Sequence, residues 1–135
     1  SVIIPTLNEE SSIAKVIGVA KKCPLVNEVI VVDDHSFDNT VAFAKKAGAS
    51  VITSTRIGKG ASMLDGLLVA TNNIIAFIDA DIENYEHNLI DMLVWPIIEE
   101  GYDFVKSTFE RQAGRVTKEA AKPQMCTLLP QALFL

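Results

Sequence analysis

Asp79 and Asp81, separated only by Ala80, are the side chains in this sequence best placed to do chemistry. On an extended backbone, residues two apart face the same side, with Cα atoms roughly 6–7 Å apart. Two carboxylates so placed repel each other unless a cation or hydrogen-bond donors lie between them, and a hard divalent cation suits their oxygens. An isolated Asp-x-Asp at a strand end more often just faces water, so the reading depends on what else converges there. Three other polar clusters matter: Pro5-Thr6-Leu7-Asn8-Glu9-Glu10, Asp33-Asp34 and Gly58-Lys59-Gly60. Lys59 stands between two glycines, which let a backbone approach a phosphate closely. The spacing is not that of a Walker A loop. Further on, Gly114-Arg115-Val116-Thr117 combines a guanidinium, a hydroxyl and backbone N–H groups at a helix start, a set suited to an anion.

The elements that must hold these groups follow from apolar spacing. Ile74 to Ile78 runs into the acid pair and reads as a strand buried on both faces. Val2-Ile3-Ile4, Glu28 to Asp33 and Val51-Ile52-Thr53 read as three more strands, and Tyr102 to Ser107 as a fifth. A first helix carries Ile13, Val16, Ile17 and Ala20, with Asn8 or Ser11 as its cap and Pro24 beyond its end. A second carries Val41, Ala44 and Ala47, capped by Asp38 and stopped by Gly48. A third, with Met63, Leu64, Leu67 and Leu68, follows a loop from Arg56 through Gly60. A fourth runs from about Glu86 to Glu100, where Pro96 predicts a kink or an early end. A polar loop over Thr108 to Gly114 and a short helix over Val116 to Lys122 complete the reading. Strand and helix alternate, which predicts an α/β fold, a mostly parallel sheet flanked by helices in three α/β/α layers. Such sheets bind ligands beyond the carboxyl ends of their strands, where all four polar clusters fall. That convergence favours a nucleotide site over a row of solvated acids.

Composition narrows the partners. The 135 residues suit one domain, and 49 % of them are hydrophobic. Mean hydropathy is +0.27, yet no apolar run approaches the roughly 20 residues that span a bilayer. A core sheet covered on both faces explains the excess. The net charge of −5 argues against a nucleic-acid partner. Cys23 and Cys126 fit neither a metal-ligand spacing nor a disulfide scaffold, so a reduced, cytoplasmic setting is expected. Ser1-Val2-Ile3-Ile4 opens inside a strand and Leu128 to Leu135 is apolar, so the chain is expected to be a piece of a longer protein.

Ile4 to Glu10 (IPTLNEE), Val29 to Thr40 (VIVVDDHSFDNT) and Ile74 to Glu83 (IIAFIDADIE) together resemble the donor-binding half of the GT-A (Rossmann-like) nucleotide-sugar glycosyltransferases. Tyr102 to Pro123 is similar to the corresponding stretch of glucosyl-3-phosphoglycerate synthases, and Ile57 to Gly60 and Asp79 to Tyr85 agree with that family. The resemblance implies a retaining transfer of glucose from a nucleotide sugar, usually UDP-glucose, to 3-phosphoglycerate, with Mg²⁺ or Mn²⁺ required. It implies Asp81 as metal ligand, with Asp79 beside it at the ribose or supporting the metal. Pro5, Thr6, Leu7 and Glu9 would border uracil and ribose, Asp34 the base, Lys59 the donor phosphates, and Ala80 the same donor site. Gly114, Arg115, Val116 and Thr117 would take the phosphate or carboxylate of 3-phosphoglycerate. Residues 1–100 would form the donor half of a single GT-A domain and 101–135 the start of an acceptor half left incomplete, without the downstream histidine that usually completes the metal site. A homodimer is compatible with this reading. Two alternatives stay open: a lipid-phosphate (polyprenyl or dolichyl) sugar transferase of the same fold, and a truncated, non-catalytic nucleotide-binding module.

Overall fold

A computed structural model describes residues 1–81 and 88–106. Val2–Thr6 (β1) and Val29–Asp33 (β2) are buried at every position and lie side by side at the centre of a four-stranded sheet. Their β-branched side chains fit a pleated surface covered on both faces. Ser50–Thr53 (β3) pairs outside β2, and Ala76–Phe77 (β4) pairs on the other side of β1. All pairs are parallel. Helices Ile13–Lys22 (α1), Thr40–Lys46 (α2), Lys59–Val69 (α3) and Leu89–Glu100 (α4) alternate with the strands.

Alternate residues of each strand enter different cores, as the period of two requires. Val2, Ile4, Val29 and Val31 pack with Ile13, Ile17 and Ala20 of α1, Ala44 of α2, and Ile90 and Val94 of α4. Ile3, Ile30 and Val32 face the opposite way, onto Leu67 of α3 and onto Ala70 and Ile75. Three layers result, with α3 alone on its face among the described residues. Gly66 lets α3 come that close: a Cβ there would sit 2.5 Å from Ile3 Cγ2 and 3.0 Å from Val32 Cγ2.

Several local expectations need correction. The strand leading to the acid pair is shorter than its apolar run: Phe77 is its last paired residue, with one more bond from Ile78 N–H to the Ile3 carbonyl. Asp79 therefore lies just past the strand, and Ala80 and Asp81 form a turn. Helix α1 is entered through Ser12 rather than Asn8 or Ser11, and α2 through Asn39 rather than Asp38. Asp38 still does capping work, since its Oδ1 accepts from the Thr40 N–H at 2.9 Å and from the Thr40 hydroxyl. Lys59 and Gly60 are the first turn of α3, not loop, because Gly58 at φ 117° is where the chain turns into the helix. Helix α4 continues through Pro96 to Glu100 and stops at Gly101, in left-handed backbone at φ 73°. Tyr102 to Lys106 form no strand. The expectations for Glu86, for Ser107 onward, for Gly114 to Thr117 and for Cys126 lie outside the described residues. No helix among the described residues is long and apolar enough to cross a membrane.

Candidate active site

At the carboxyl edge of the sheet the chain leaves β1, β2 and β3 at Thr6, Asp33 and Thr53, which stand side by side in register. Two of the loops that follow are knitted together. Asn8 N–H donates to Ser36 Oγ and Phe37 N–H to Asn8 Oδ1, both at 2.9 Å. Glu9 N–H reaches Thr40 Oγ1 at 2.8 Å, and Asn39 N–H reaches Glu10 Oε2 at 2.9 Å. Asn8 and His35 hold left-handed backbone to make this fit, at φ 55° and 64°. Such angles are uncommon outside glycine, and Asn and His are among the side chains that tolerate them.

Between these loops, the start of α3 and the acid turn lies a cavity of about 440 Å³. It brings together Pro5, Thr6, Leu7 and Glu9 from the end of β1 and Asp34 from the end of β2. Lys59 from α3 and Asp79, Ala80 and Asp81 from the acid turn complete the set. Every expected donor-side residue thus lines one space. Ile57, Gly58 and Ser62 line it as well and were not singled out as site residues. Ser62 gave no signal, being one small polar residue in an apolar helix; Ile57 and Gly58 were visible only as neighbours of Lys59. A second cavity, of about 300 Å³ at the amino edge, is lined by groups such as Val26, Ile74, Ile90 and Val94 and has no acidic or basic side chain in its wall.

Two residues that line the carboxyl-edge cavity each carry a buried oxygen with no hydrogen-bond partner: Asp34 Oδ1 and Thr6 Oγ1. Asp34 is 8 % exposed. Its Oδ2 accepts from Gly58 N–H at 2.9 Å, while its Oδ1 has only the His35 imidazole at 3.8 Å. Leaving a buried carboxylate oxygen unmade costs roughly 1–3 kcal/mol or more, so such an atom marks a place where a donor belongs. Lys59 forms an ion pair with Asp79 across the cavity. Asp81 is exposed at its rim. The carboxylate oxygens suit a hard cation such as Mg²⁺ or Mn²⁺. Among the described residues no three His, Cys, Asp or Glu side chains cluster tightly enough to hold a metal alone.

Two carboxylates brace the loops around the site. Asp65 is held below the usual carboxylate range first by the Thr55 N–H, then by the Thr55 and Ser54 hydroxyls, against partial desolvation. At Asp38 desolvation works upward and is outweighed by the Thr40 hydroxyl and N–H and by the Glu10 N–H. Both folded-state values lie below the unfolded ones. The stability they confer is therefore present above about pH 4 and is lost as pH falls through the lowered folded values. The urea midpoint is expected to drop below about pH 4, and to drop less in Asp38→Asn and Asp65→Asn; equal drops in all three proteins would mean these bonds add nothing.

The family model described as glycosyl transferase family 2 matches residues 1–130. The chain belongs to glycosyl transferase family 2. Family members similar to it include the glucosyl-3-phosphoglycerate synthase of Petrotoga mobilis, 34 % identical over 97 % of this chain and 48 % of that protein. The enzyme of the same description from Mycobacterium tuberculosis is 33 % identical over the same shares. A crystal structure of the M. tuberculosis synthase with Mn²⁺, UDP and glucosyl-3-phosphoglycerate superposes with a TM-score of 0.75 at 34 % identity, over 81 % of this chain and 43 % of that one. A second, with Mn²⁺, UDP-glucose and phosphoglyceric acid, gives 0.81 at 29 % identity over 98 % and 56 %. The fold is therefore the GT-A arrangement of this family. The chain spans about half the length of the curated relatives it matches.

Proposed function

We propose that this family 2 domain belongs to a metal-dependent hexosyltransferase that moves glucose from UDP-glucose to 3-phosphoglycerate with retention. The observation that carries the reading is the gathering of nine sequence-selected residues around one cavity, two of them, Asp34 and Thr6, with a buried oxygen that lacks a donor. A nucleobase imino N–H is the kind of donor a buried carboxylate oxygen accepts best. Pro5, Thr6 and Leu7 border the base, and Glu9, whose Oε2 already accepts from the Ser12 hydroxyl at 2.9 Å, is left one carboxylate oxygen for a ribose hydroxyl. Lys59 and the N-terminus of α3, whose first intrahelical bond is Ser62 N–H to the Gly58 carbonyl, face the same cavity and favour a diphosphate. Asp81 would hold Mg²⁺ or Mn²⁺, which supplies charge neutralisation on the departing diphosphate. Asp79 releases or shares Lys59 as phosphate enters, and with Ala80 shapes the wall beside the sugar.

Residues 1–100 act as the donor half of a single domain. Residues 101–135 begin the acceptor half, with Gly114, Arg115, Val116 and Thr117 receiving the phosphate or carboxylate of 3-phosphoglycerate. The remaining acceptor groups come from the part of the protein that the curated relatives have and this chain does not span. A cytoplasmic location and a homodimer accompany this reading.

The test is transfer by the full-length protein from UDP-[¹⁴C]glucose, with Mn²⁺, to 3-phosphoglycerate or to a polyprenyl phosphate. Labelled glucosyl-3-phosphoglycerate with the anomeric configuration retained is expected. Transfer to the lipid alone overturns the acceptor assignment, and metal-dependent UDP binding without turnover marks a binding module instead.

A further inference from the structure

The loop joining β3 to α3, residues 54–58, delivers Gly58 and Lys59 to the cleft and is tied down at three points. At its start Ser54 N–H donates to the Asp33 carbonyl at 2.8 Å. At its end Gly58 N–H donates to Asp34 Oδ2 at 2.9 Å. The third tie comes from Asp65, in the second turn of α3. Its Oδ2 accepts from Thr55 N–H at 2.6 Å and lies 3.0 Å from Ser54 Oγ, while the Thr55 hydroxyl is within 3.1 Å of both carboxylate oxygens. Packing holds only the start of the loop, where Ser54 is buried; Thr55, Arg56 and Ile57 are exposed. Nor does Asp65 serve its own helix. Aspartate is a poor residue inside a helix, and the bonds described for this one all run to the loop.

We propose that Asp65 is a positioning residue for the nucleotide cleft. By folding residues 54–58 back onto α3 it holds Gly58 N–H against one oxygen of Asp34 and so fixes the orientation of a carboxylate that lines the cleft, its other oxygen buried and without a hydrogen-bond partner. The terminal torsion of an aspartate is broad and roughly two-fold, so a carboxylate with neither oxygen held turns freely between donors. One held oxygen fixes the direction of its twin. Asp65 thus acts on the ligand through Gly58 and Asp34, without touching it. The proposal rests on the reading of the cleft as a nucleotide site.

The test combines hydrogen exchange at the Gly58 amide with UDP titration calorimetry in Mn²⁺, on the wild type, Asp65→Asn, Asp65→Ala and each of these in an Asp34→Ala background. Thermal melts set the working temperature well below every midpoint. Asp65→Asn keeps the shape and one acceptor, which guards against simple misfolding in the alanine variant. Faster Gly58 exchange is expected in both single variants, with a UDP Kd raised about two- to tenfold. In the Asp34→Ala background the further change in Kd is expected to stay within about twofold, because non-additivity is the mark of action through a shared partner. A stably folded Asp65→Ala with wild-type Gly58 exchange overturns the proposal. So does an undiminished effect on Kd once Asp34 is gone. A wild-type protein that does not bind UDP overturns the nucleotide reading, and Gly58 exchange then still decides whether Asp65 holds the loop.

Discussion

Replacing Asp81 by alanine is expected to abolish the dependence of UDP binding on Mn²⁺. Asp81 is exposed at the rim of the cleft, so its removal leaves no buried partner stranded and no cavity in the core. The fold should survive with its melting midpoint nearly unchanged. What is lost is a carboxylate that a hard cation shares with the diphosphate, and cations at phosphoryl oxygens contribute several kcal/mol. Wild-type affinity for UDP should rise on adding Mn²⁺, and in Asp81→Ala the rise should disappear, a loss on the order of a hundredfold in saturating metal. Asp79→Ala should behave differently. It frees Lys59 from its ion pair, so binding of UDP without metal should tighten while the Mn²⁺ effect shrinks only in part. Calorimetry with and without chelator separates the two, and a full Mn²⁺ effect persisting in Asp81→Ala would remove Asp81 from the metal site.

The largest expected effect on stability is at Gly66. A valine there puts its Cβ 2.5 Å from Ile3 Cγ2 and 3.0 Å from Val32 Cγ2, before its two methyl groups are placed. Ile3 and Val32 are fully buried in the central strands and cannot retreat. Helix α3 must lift off the sheet, and overpacking of this kind costs roughly 3 kcal/mol or more, a large part of a typical domain's 5–15 kcal/mol. Because α3 also carries Gly58 and Lys59 to the cleft, UDP binding should weaken along with stability. Gly18 in α1 provides the matched control: a Cβ there meets nothing within 4 Å, so Gly18→Ala should stabilise by about 0.5–1 kcal/mol through helix propensity and chain entropy. Urea titrations of the two variants should shift in opposite directions. A Gly66→Val protein as stable as the wild type would mean that the α3–sheet contact is not close.

Periodicity made the layers legible, because it reports which face of an element meets a core. Ile13, Val16, Ile17 and Ala20 lie where the helix spacing put them, and the β-branched runs of β1 and β2 are the two central strands. The cleft was legible for the same reason: parallel strands bring all their carboxyl ends to one edge. Burial is not hydrogen bonding, however, and that is where the reading fell short. Ile74 to Ile78 alternates between the two cores as a strand would, yet only Ala76 and Phe77 complete a ladder with β1. Gly58-Lys59-Gly60 looked like a loop because glycine is compatible with any backbone. Only the positive φ of Gly58 makes Lys59 the first helical residue. Asp38 was legible only as a helix cap and Asp65 gave no signal, because the Glu10 N–H that Asp38 also binds and the Ser54 and Thr55 groups that Asp65 binds are chosen by loop geometry.

The central position of β1 also bears on how the chain reaches this state. Val2 pairs with Val29 on one side and Ala76 on the other, so the sheet contains no hairpin through which β1 could pair early. During synthesis at roughly 5–20 residues per second, about 4–15 s separate the emergence of β1 from that of its second neighbour. Through that interval Val2-Ile3-Ile4, among the most apolar stretches of the chain, has at least one open edge. Non-local parallel pairing is intrinsically slow to form and open to aggregation in the meantime. The same connectivity that gathers four loops into one cleft is what leaves this strand edge open while the chain is being made.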